Sequence, residues 1–249
     1  MRFQNKVVIV TGGSSGIGAA TAYEFQKEGA IVYILDRALP HSKINEHFIK
    51  CDVRNFSEVK TALDSIVTKE NKVDCLVANA GIHYVGSIED TDLETFEEVV
   101  SVNFKGIFYS LKCVLPIMRE QRHGSIVLMG SDQSLIGKKK SAIYGATKGA
   151  IGQLTKSTAL DYAEYGIRVN CVCPGAIDTP LCEGAIKNFT TKYTTESVES
   201  LLQKVQEKHP LNRLGKPEEV ANVILFVCSN EASFITGSLI SIDGGYVAQ

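Results

Sequence analysis

The sequence has almost no net charge to offer a partner. Its 26 basic and 28 acidic residues leave −2 over 249 residues. It therefore lacks the basic footprint of a nucleic-acid binder and the polybasic patch of a membrane-surface protein. No apolar run reaches the roughly 18 residues that a membrane span requires. The first residues, Met1-Arg2-Phe3-Gln4-Asn5-Lys6, enter an apolar strand pattern without the features of a secretory signal. No repeat, low-complexity tract or domain linker interrupts the chain. One domain over 1–249 is expected, since a single α/β unit of roughly 200–250 residues is common. The seven cysteines are an odd number. Cys75, Cys113, Cys171, Cys173 and Cys228 fall within apolar runs, as buried free thiols of a reducing cytoplasm do. Cys171-x-Cys173 fits no common zinc site, so no metal is expected. On their strand these two thiols are expected to point to opposite faces.

Hydrophobic residues make up 44% of the chain, ample for a large core. Short Val/Ile-rich runs at 6–11, 31–35, 48–53, 75–79, 125–130, 168–173 and 238–242 read as strands. They alternate little between apolar and polar, which suits a parallel sheet covered on both faces. Helical patterns at 17–27, 56–70, 92–121, 142–165 and 217–229 lie between most of them. This order predicts a doubly wound, mostly seven-stranded α/β sheet with helices on both faces. The 36–48 connection contains Pro40 and is short for a crossover helix. Segment 180–214 has no strand pattern. It is polar, with a short helical pattern near 198–208, and reads either as a lid over a ligand or as a surface excursion.

Thr11-Gly-Gly-Ser-Ser-Gly-Ile-Gly18 follows the first strand and opens the first helix. Gly12, Gly16 and Gly18 let backbone and pyrophosphate approach closely, and the helix start offers free N–H groups around Ser14, Ser15 and Ile17. The spacing is Gly-x-x-x-Gly-x-Gly rather than the generic dinucleotide fingerprint. Asp36 ends the second strand, twenty residues after Gly16. An acid there accepts hydrogen bonds from the ribose hydroxyls of NAD and repels the extra phosphate of NADP. Arg37 beside it is of the kind that accommodates that phosphate, and a turn-capping role for Asp36 is the structural alternative. Asp52-Val53 and Asn79-Ala80-Gly81 fall at the ends of the third and fourth strands, the sheet edge where ligands of this architecture bind.

Tyr144 and Lys148 are four residues apart on a predicted helix, hence one turn apart on one face. A tyrosine is a weak base at neutral pH, with a pKa of about 10. A nearby ammonium favours the phenolate and lowers that value. Ser131, thirteen residues upstream, supplies a hydroxyl to hold a substrate oxygen. The three together make a proton relay between an alcohol and a ketone. Tyr23 and Lys27 share the spacing but not the surroundings, and read as a solvated surface pair.

These motifs in this order resemble the short-chain dehydrogenase/reductase family over nearly the whole chain. The resemblance implies that Ser131, Tyr144 and Lys148 are the catalytic triad and Asn103 its fourth member, holding a water that links Lys148 to solvent. It implies that Pro174-Gly175-Ala-Ile177-Asp-Thr179 holds the nicotinamide amide, and that Asp243-Gly-Gly245 is the C-terminal signature. It also implies a homotetramer. The family's Asn-Asn-Ala-Gly has Ala78 in place of its first Asn here. The 36–48 connection, Ser131-Asp132 and the Tyr144–Lys148 motif resemble dehydrogenases of cyclic diols, including 2,3-dihydro-2,3-dihydroxybenzoate dehydrogenases, and sugar or polyol members. An NAD-dependent alcohol dehydrogenase or ketone reductase is the expectation. An NADPH-dependent 3-oxoacyl-thioester reductase and a catalytically silent nucleotide-binding protein are the alternatives. His83, Gln133 and Lys138 are placed at the substrate mouth. The run Lys138-Lys139-Lys140 reads either as a clamp for a substrate carboxylate or as a solvated turn.

Overall fold

The computed structural model describes residues 1–40 and 47–248. Part of the 36–48 connection therefore lies outside the described residues.

Strand β1 (Val7–Thr11) is wholly buried. Its side chains alternate between two cores. Val7 and Ile9 enter the cluster on one face, and Val8 and Val10 enter the cluster on the other. A strand that must be apolar on both faces cannot alternate in hydropathy, which is why its sequence is an unbroken apolar run. The other strands are β2 (Ile31–Asp36), β3 (Phe48–Lys50), β4 (Cys75–Ala78), β5 (Gly124–Met129), β6 (Ile167–Pro174) and β7 (Leu239–Ile242). They form one seven-stranded sheet in the order β3-β2-β1-β4-β5-β6-β7, with every pairing parallel. The order reverses between β1 and β4. At that switch point the loops after the two strands diverge and leave a crevice.

Helix α1 (Gly16–Lys27) and helix α8 (Pro217–Cys228) bury Phe25, Ile224 and Leu225 against one face of the sheet. Helices α2 (Phe56–Glu70), α4 (Gly106–Gln121) and α5 (Ala142–Tyr162) cover the other, with Leu63, Ile66, Met118 and Ile151 fully buried. Each such side chain contributes roughly 1.5–3 kcal/mol of apolar burial. The ends of α2 are chemically marked. Asn55 accepts from the Ser57 N–H at 3.0 Å, and Asn71 closes the helix in the left-handed region at φ 55°.

Three expectations are corrected. The 92–121 pattern is not one α-helix. Helix α3 (Leu93–Val100) passes through a π-helical turn at Ser101–Lys105 into α4. Segment 180–214 holds two helices rather than one, α6 (Pro180–Tyr193) and α7 (Val198–Glu207). Thr179 caps α6 by accepting from the Cys182 N–H at 3.3 Å, and Pro180 occupies its first turn. Finally, Cys171 and Cys173 point to the same face of β6. Both enter one core cluster, with their sulfurs 3.7 Å apart, while Val172 enters the other. Strand side chains repeat every second residue, so positions i and i+2 share a face.

Candidate active site

A cleft of about 400 Å³ runs along the carboxyl ends of the strands, across the switch point. Its first end is the glycine turn. Gly12 has φ +64°, and a Cβ there would stand 2.7 Å from Ala80 Cα. A Cβ on Gly18 would stand 2.1 Å from the Gly12 carbonyl oxygen. Only glycine allows the turn to close this tightly on β4 and on itself. Asn79 fastens the two strand ends together. Its side-chain amide donates to the carbonyls of Thr11 and Gly12 at 3.2 and 2.9 Å, and its backbone N–H donates to Thr11 Oγ1. The side chain at Ala78, where the family pattern has its first Asn, is buried in the core instead. The turn's two carbonyls are thus served by Asn79 alone of that pair.

Ser15 begins α1 without capping it through its own side chain. The first helical amides and the positive end of the helix dipole are left for an anion. Ser15, Gly16 and Ile17 line the cleft, whereas Gly18 lies behind them and Ser14 is turned into the loop. The Ser14 N–H donates to Asp36 Oδ2 at 3.0 Å, and its hydroxyl donates to the Ala38 carbonyl at 2.6 Å. Asp36 also accepts from the Ala38 N–H. It therefore caps its turn and lines the cleft at once, and each oxygen keeps a lone pair for a ribose hydroxyl. Arg37, Asp52 and Val53 line the same end. Arg54 grips Asp52 at 2.6 Å and holds its carboxyl below the usual range.

At the other end Tyr144 and Lys148 rise from α5, both more than nine-tenths buried. The Lys148 Nζ lies 5.6 Å from the Tyr144 ring centroid and donates to the Met129 carbonyl at 2.7 Å. Burial lowers the Lys148 ammonium to about 8. Burial also pushes the Tyr144 phenol up, and contact with the Ser131 hydroxyl opposes only part of that rise. The expected lowering of the phenol by Lys148 is absent in this state. Desolvation outweighs the distant ammonium. Tyr23 and Lys27 form the expected contrast: the ammonium sits 5.3 Å over an exposed ring and pairs with Glu24.

Ser131 follows β5 by two residues and lines the cleft. Its hydroxyl donates to Asp132 Oδ1 at 2.8 Å and accepts from the Gln133 N–H at 3.2 Å. Asn103 is fully buried in the π turn and does not line the cleft. Its Oδ1 accepts from the Ile82 N–H at 2.8 Å. Its Nδ2 donates to the Ile82 carbonyl and to Thr147 Oγ1. Both amide protons are used within the protein, so this side chain stitches the Gly81–Ile82 loop to α5 and has no proton left to give a water.

Lys138 reaches solvent, but its charge is paired. Its Nζ lies 2.5 Å from Asp132 Oδ2 and 4.5 Å from the centre of the Tyr246 ring. The cation is committed to a buried carboxylate and an aromatic face, which leaves the carboxylate-clamp reading without a free charge. Lys139 and Lys140 do not line the cleft, and Lys140 pairs with Asp90. Pro174, Gly175, Ile177 and Thr179 line the wall above the relay. His209 braces this wall, which sequence reasoning missed. Its Nε2 accepts from the Ala176 N–H at 3.2 Å, so the ring proton sits on Nδ1 and faces the Val205 carbonyl at 2.7 Å. Tyr246 stacks on its other side at 5.1 Å. Nothing local in sequence marks His209, because three separate segments meet there. Asp132 was readable, as an acid beside the relay's serine.

A doubly wound sheet, a phosphate-ready helix start at its switch point and a buried Ser-Tyr-Lys group facing the same cleft define a nicotinamide-dependent oxidoreductase of alcohols and ketones. Similar proteins agree. A sequence profile described as enoyl-(acyl carrier protein) reductase matches residues 12–247. An uncharacterized oxidoreductase of Thermotoga maritima is 41% identical over 256 aligned positions, covering 100% of both chains. The 3-oxoacyl-[acyl-carrier-protein] reductase of that organism is 37% identical, over 99% of this chain and 100% of its own. The ligand-free structure of Thermoplasma acidophilum aldohexose dehydrogenase matches with a TM-score of 0.92 at 39% identity, covering 99% of this chain and 95% of that one. The chain belongs to the short-chain dehydrogenase/reductase family.

Proposed function

We propose that the protein interconverts a secondary alcohol and a ketone with NAD(H), on a small cyclic or polyhydroxylated substrate. The observation that carries the cofactor choice is Asp36. Its carboxylate lines the cleft 3.0 Å from the Ser14 N–H, at the end of β2 where the ribose would rest. A phosphate there would meet this negative charge, and neither Ser14 nor Ser15 offers a basic side chain to offset it.

Bound, the nicotinamide dinucleotide supplies hydride exchange and, when oxidised, a positive charge beside the phenol. The protein would do the rest. Gly12, Gly16 and the start of α1 would hold the pyrophosphate, and the 174–179 wall would hold the nicotinamide amide. Tyr144 would take the hydroxyl proton in oxidation and return it in reduction. Ser131 would donate to the substrate oxygen as charge develops on it. Lys148 would bond the nicotinamide ribose and favour the phenolate. Asn103 would position the loop that closes this end.

Helix α6 would act as the lid. Leu181, Cys182 and Ala185 line the cleft, and Tyr193 at the helix end donates to Asp90 Oδ2 at 2.8 Å. The exposed apolar residues Phe96, Phe108 and Leu160 on α3, α4 and α5 support pairing across two-fold axes and hence a homotetramer. Seven free thiols, five of them buried, support a reducing cytoplasm.

The second reading is an NADPH-dependent reductase of acyl thioesters. The Thermotoga maritima acyl-carrier reductase and the cleft-lining Arg37 favour it. Fluorescence titration with NADH and NADPH separates the two. Tighter NADH binding is expected, and tighter NADPH binding would overturn the assignment. Light scattering checks the tetramer.

A further inference from the structure

Among the described residues, four buried side-chain polar atoms have no hydrogen-bond partner: Thr21 Oγ1, His83 Nδ1, Gln133 Oε1 and Ser141 Oγ. Two of them, on His83 and Gln133, belong to residues that line the substrate end of the cleft. An orphaned buried polar group costs roughly 1–3 kcal/mol, so two in one site call for a reason.

Their placement supplies one. The His83 ring packs against Tyr144, with centroids 4.4 Å apart and planes tilted by 47°. Burial lowers its imidazole to about 4, helped by Lys138 and Lys148, so the ring is neutral near pH 7. Gln133 approaches from the opposite loop. A Cβ on Gly145, the residue after Tyr144, would stand 3.0 Å from Gln133 Oε1. The absence of that Cβ gives the amide its room. His83 thus lies against the Tyr144 ring, and Gln133 lies beside the next residue of α5, each reaching the cleft from its own segment. Both end in torsions that turn easily. Turning toward the cleft breaks no hydrogen bond at either orphaned atom.

We infer that His83 and Gln133 read a second hydroxyl, on the carbon next to the one Tyr144 deprotonates, so that the enzyme selects vicinal diols over simple alcohols. This rests on the proposed alcohol–ketone chemistry. A hydroxyl both donates and accepts, which serves a carbonyl-type oxygen and an imidazole nitrogen together. The apolar flank of an acyl chain offers neither atom a partner. A site whose polar atoms pair only with a substrate hydroxyl rejects the analogue that lacks it far more strongly than an apolar pocket rejects an extra methylene.

The test compares the two cyclopentane-1,2-diol isomers with cyclopentanol under saturating NAD. For the wild type, kcat/KM for the better diol is expected to exceed that for cyclopentanol by about 100-fold or more. His83→Phe keeps the ring on Tyr144 but removes the nitrogen, and Gln133→Met removes the amide. Each is expected to reduce the diol-to-cyclopentanol ratio at least about tenfold. His83→Asn, which returns a polar atom near Nδ1, is expected to restore most of it. Equal turnover of diol and cyclopentanol by the wild type would overturn the inference. So would variants that lose both activities in proportion, or a His83→Asn no better than His83→Phe. A second readout needs no turnover. With the protein saturated by NADH, adding diol forms an unreactive complex. The His83 ¹⁵N resonance is expected to move with diol and not with cyclopentanol. A shift without turnover of any alcohol would sink the proposed function and leave this inference standing, and no shift would sink the inference.

Discussion

The carboxylate of Asp132 receives Lys138 Nζ at 2.5 Å, 2% exposed against 30%. Its other oxygen holds the Ser131 hydroxyl. The Ser131 hydroxyl, proposed to polarise a substrate, is thus parked on an acid whose charge is balanced by a lysine from the following loop. Removing one member of such a pair strands the other. Asp132→Asn and Lys138→Met are each expected to cost roughly 1–4 kcal/mol in urea unfolding, less than a fully buried pair because Lys138 reaches solvent. The double variant should be more stable than the sum of the singles predicts, by about 0.5–3 kcal/mol of coupling. Additive costs would mean that the two charges do not depend on each other.

Tyr144→Phe removes the phenol and keeps the ring against His83. Turnover of any accepted alcohol should fall by at least about 10²–10⁴-fold, the usual worth of a positioned proton carrier. NADH binding, followed by fluorescence, should change little. Appreciable turnover in the variant would remove Tyr144 from the proposed chemistry.

Lys148 sets function against stability. Its folded value, about 8, lies below the unfolded 10.5. Between those two pH values the unfolded chain binds more protons, so this group makes stability rise with pH across the window. Below about pH 8 both states are charged and the burial penalty is present in full. Lys148→Met should therefore melt higher than the wild type at pH 7 without cofactor, and the gap should shrink as pH rises toward 10. The variant should also be inactive. A wild type that is more stable than Lys148→Met at pH 7 would contradict this.

Asp36 anchors the glycine turn as well as lining the cleft, so its replacement has two effects. Asp36→Ala should raise NADPH affinity relative to NADH by tenfold or more, because the repelling charge is gone. It should also lower the melting temperature by a few degrees, because the Ser14 and Ala38 N–H groups lose their acceptor. An unchanged cofactor ratio would detach Asp36 from selectivity.

How much of this was legible in sequence depended on where the information lay. Helix α2 spans the predicted 56–70, because Asn55 and Asn71 mark both ends in the local sequence. The Gly12–Gly18 turn and Tyr144 with Lys148 were legible for the same reason: neighbours in sequence are neighbours in the site. Helix α6 was lost to its threonines, although Thr179-Pro180 is a sound helix start. The opposite-faces expectation for Cys171 and Cys173 misapplied a two-residue repeat. The pairing of Lys138 with Asp132, and the stack of Tyr246 on His209, were out of reach. They depend on where a loop, a helix end and the last turn of the chain meet.

The π turn at Ser101–Lys105 carries one residue more than an α-helix would hold there. Asn103 owes its aim at Ile82 and Thr147 to that surplus. Deleting one residue from the turn would regularise the helix and keep α3 and α4 in phase, but it would take away the widened turn from which Asn103 reaches Ile82 and Thr147. A screen that rewarded only heat resistance would have reason to keep such a deletion. Its survivors would be sturdier and mute, so any programme to harden this protein has to select for turnover at every round.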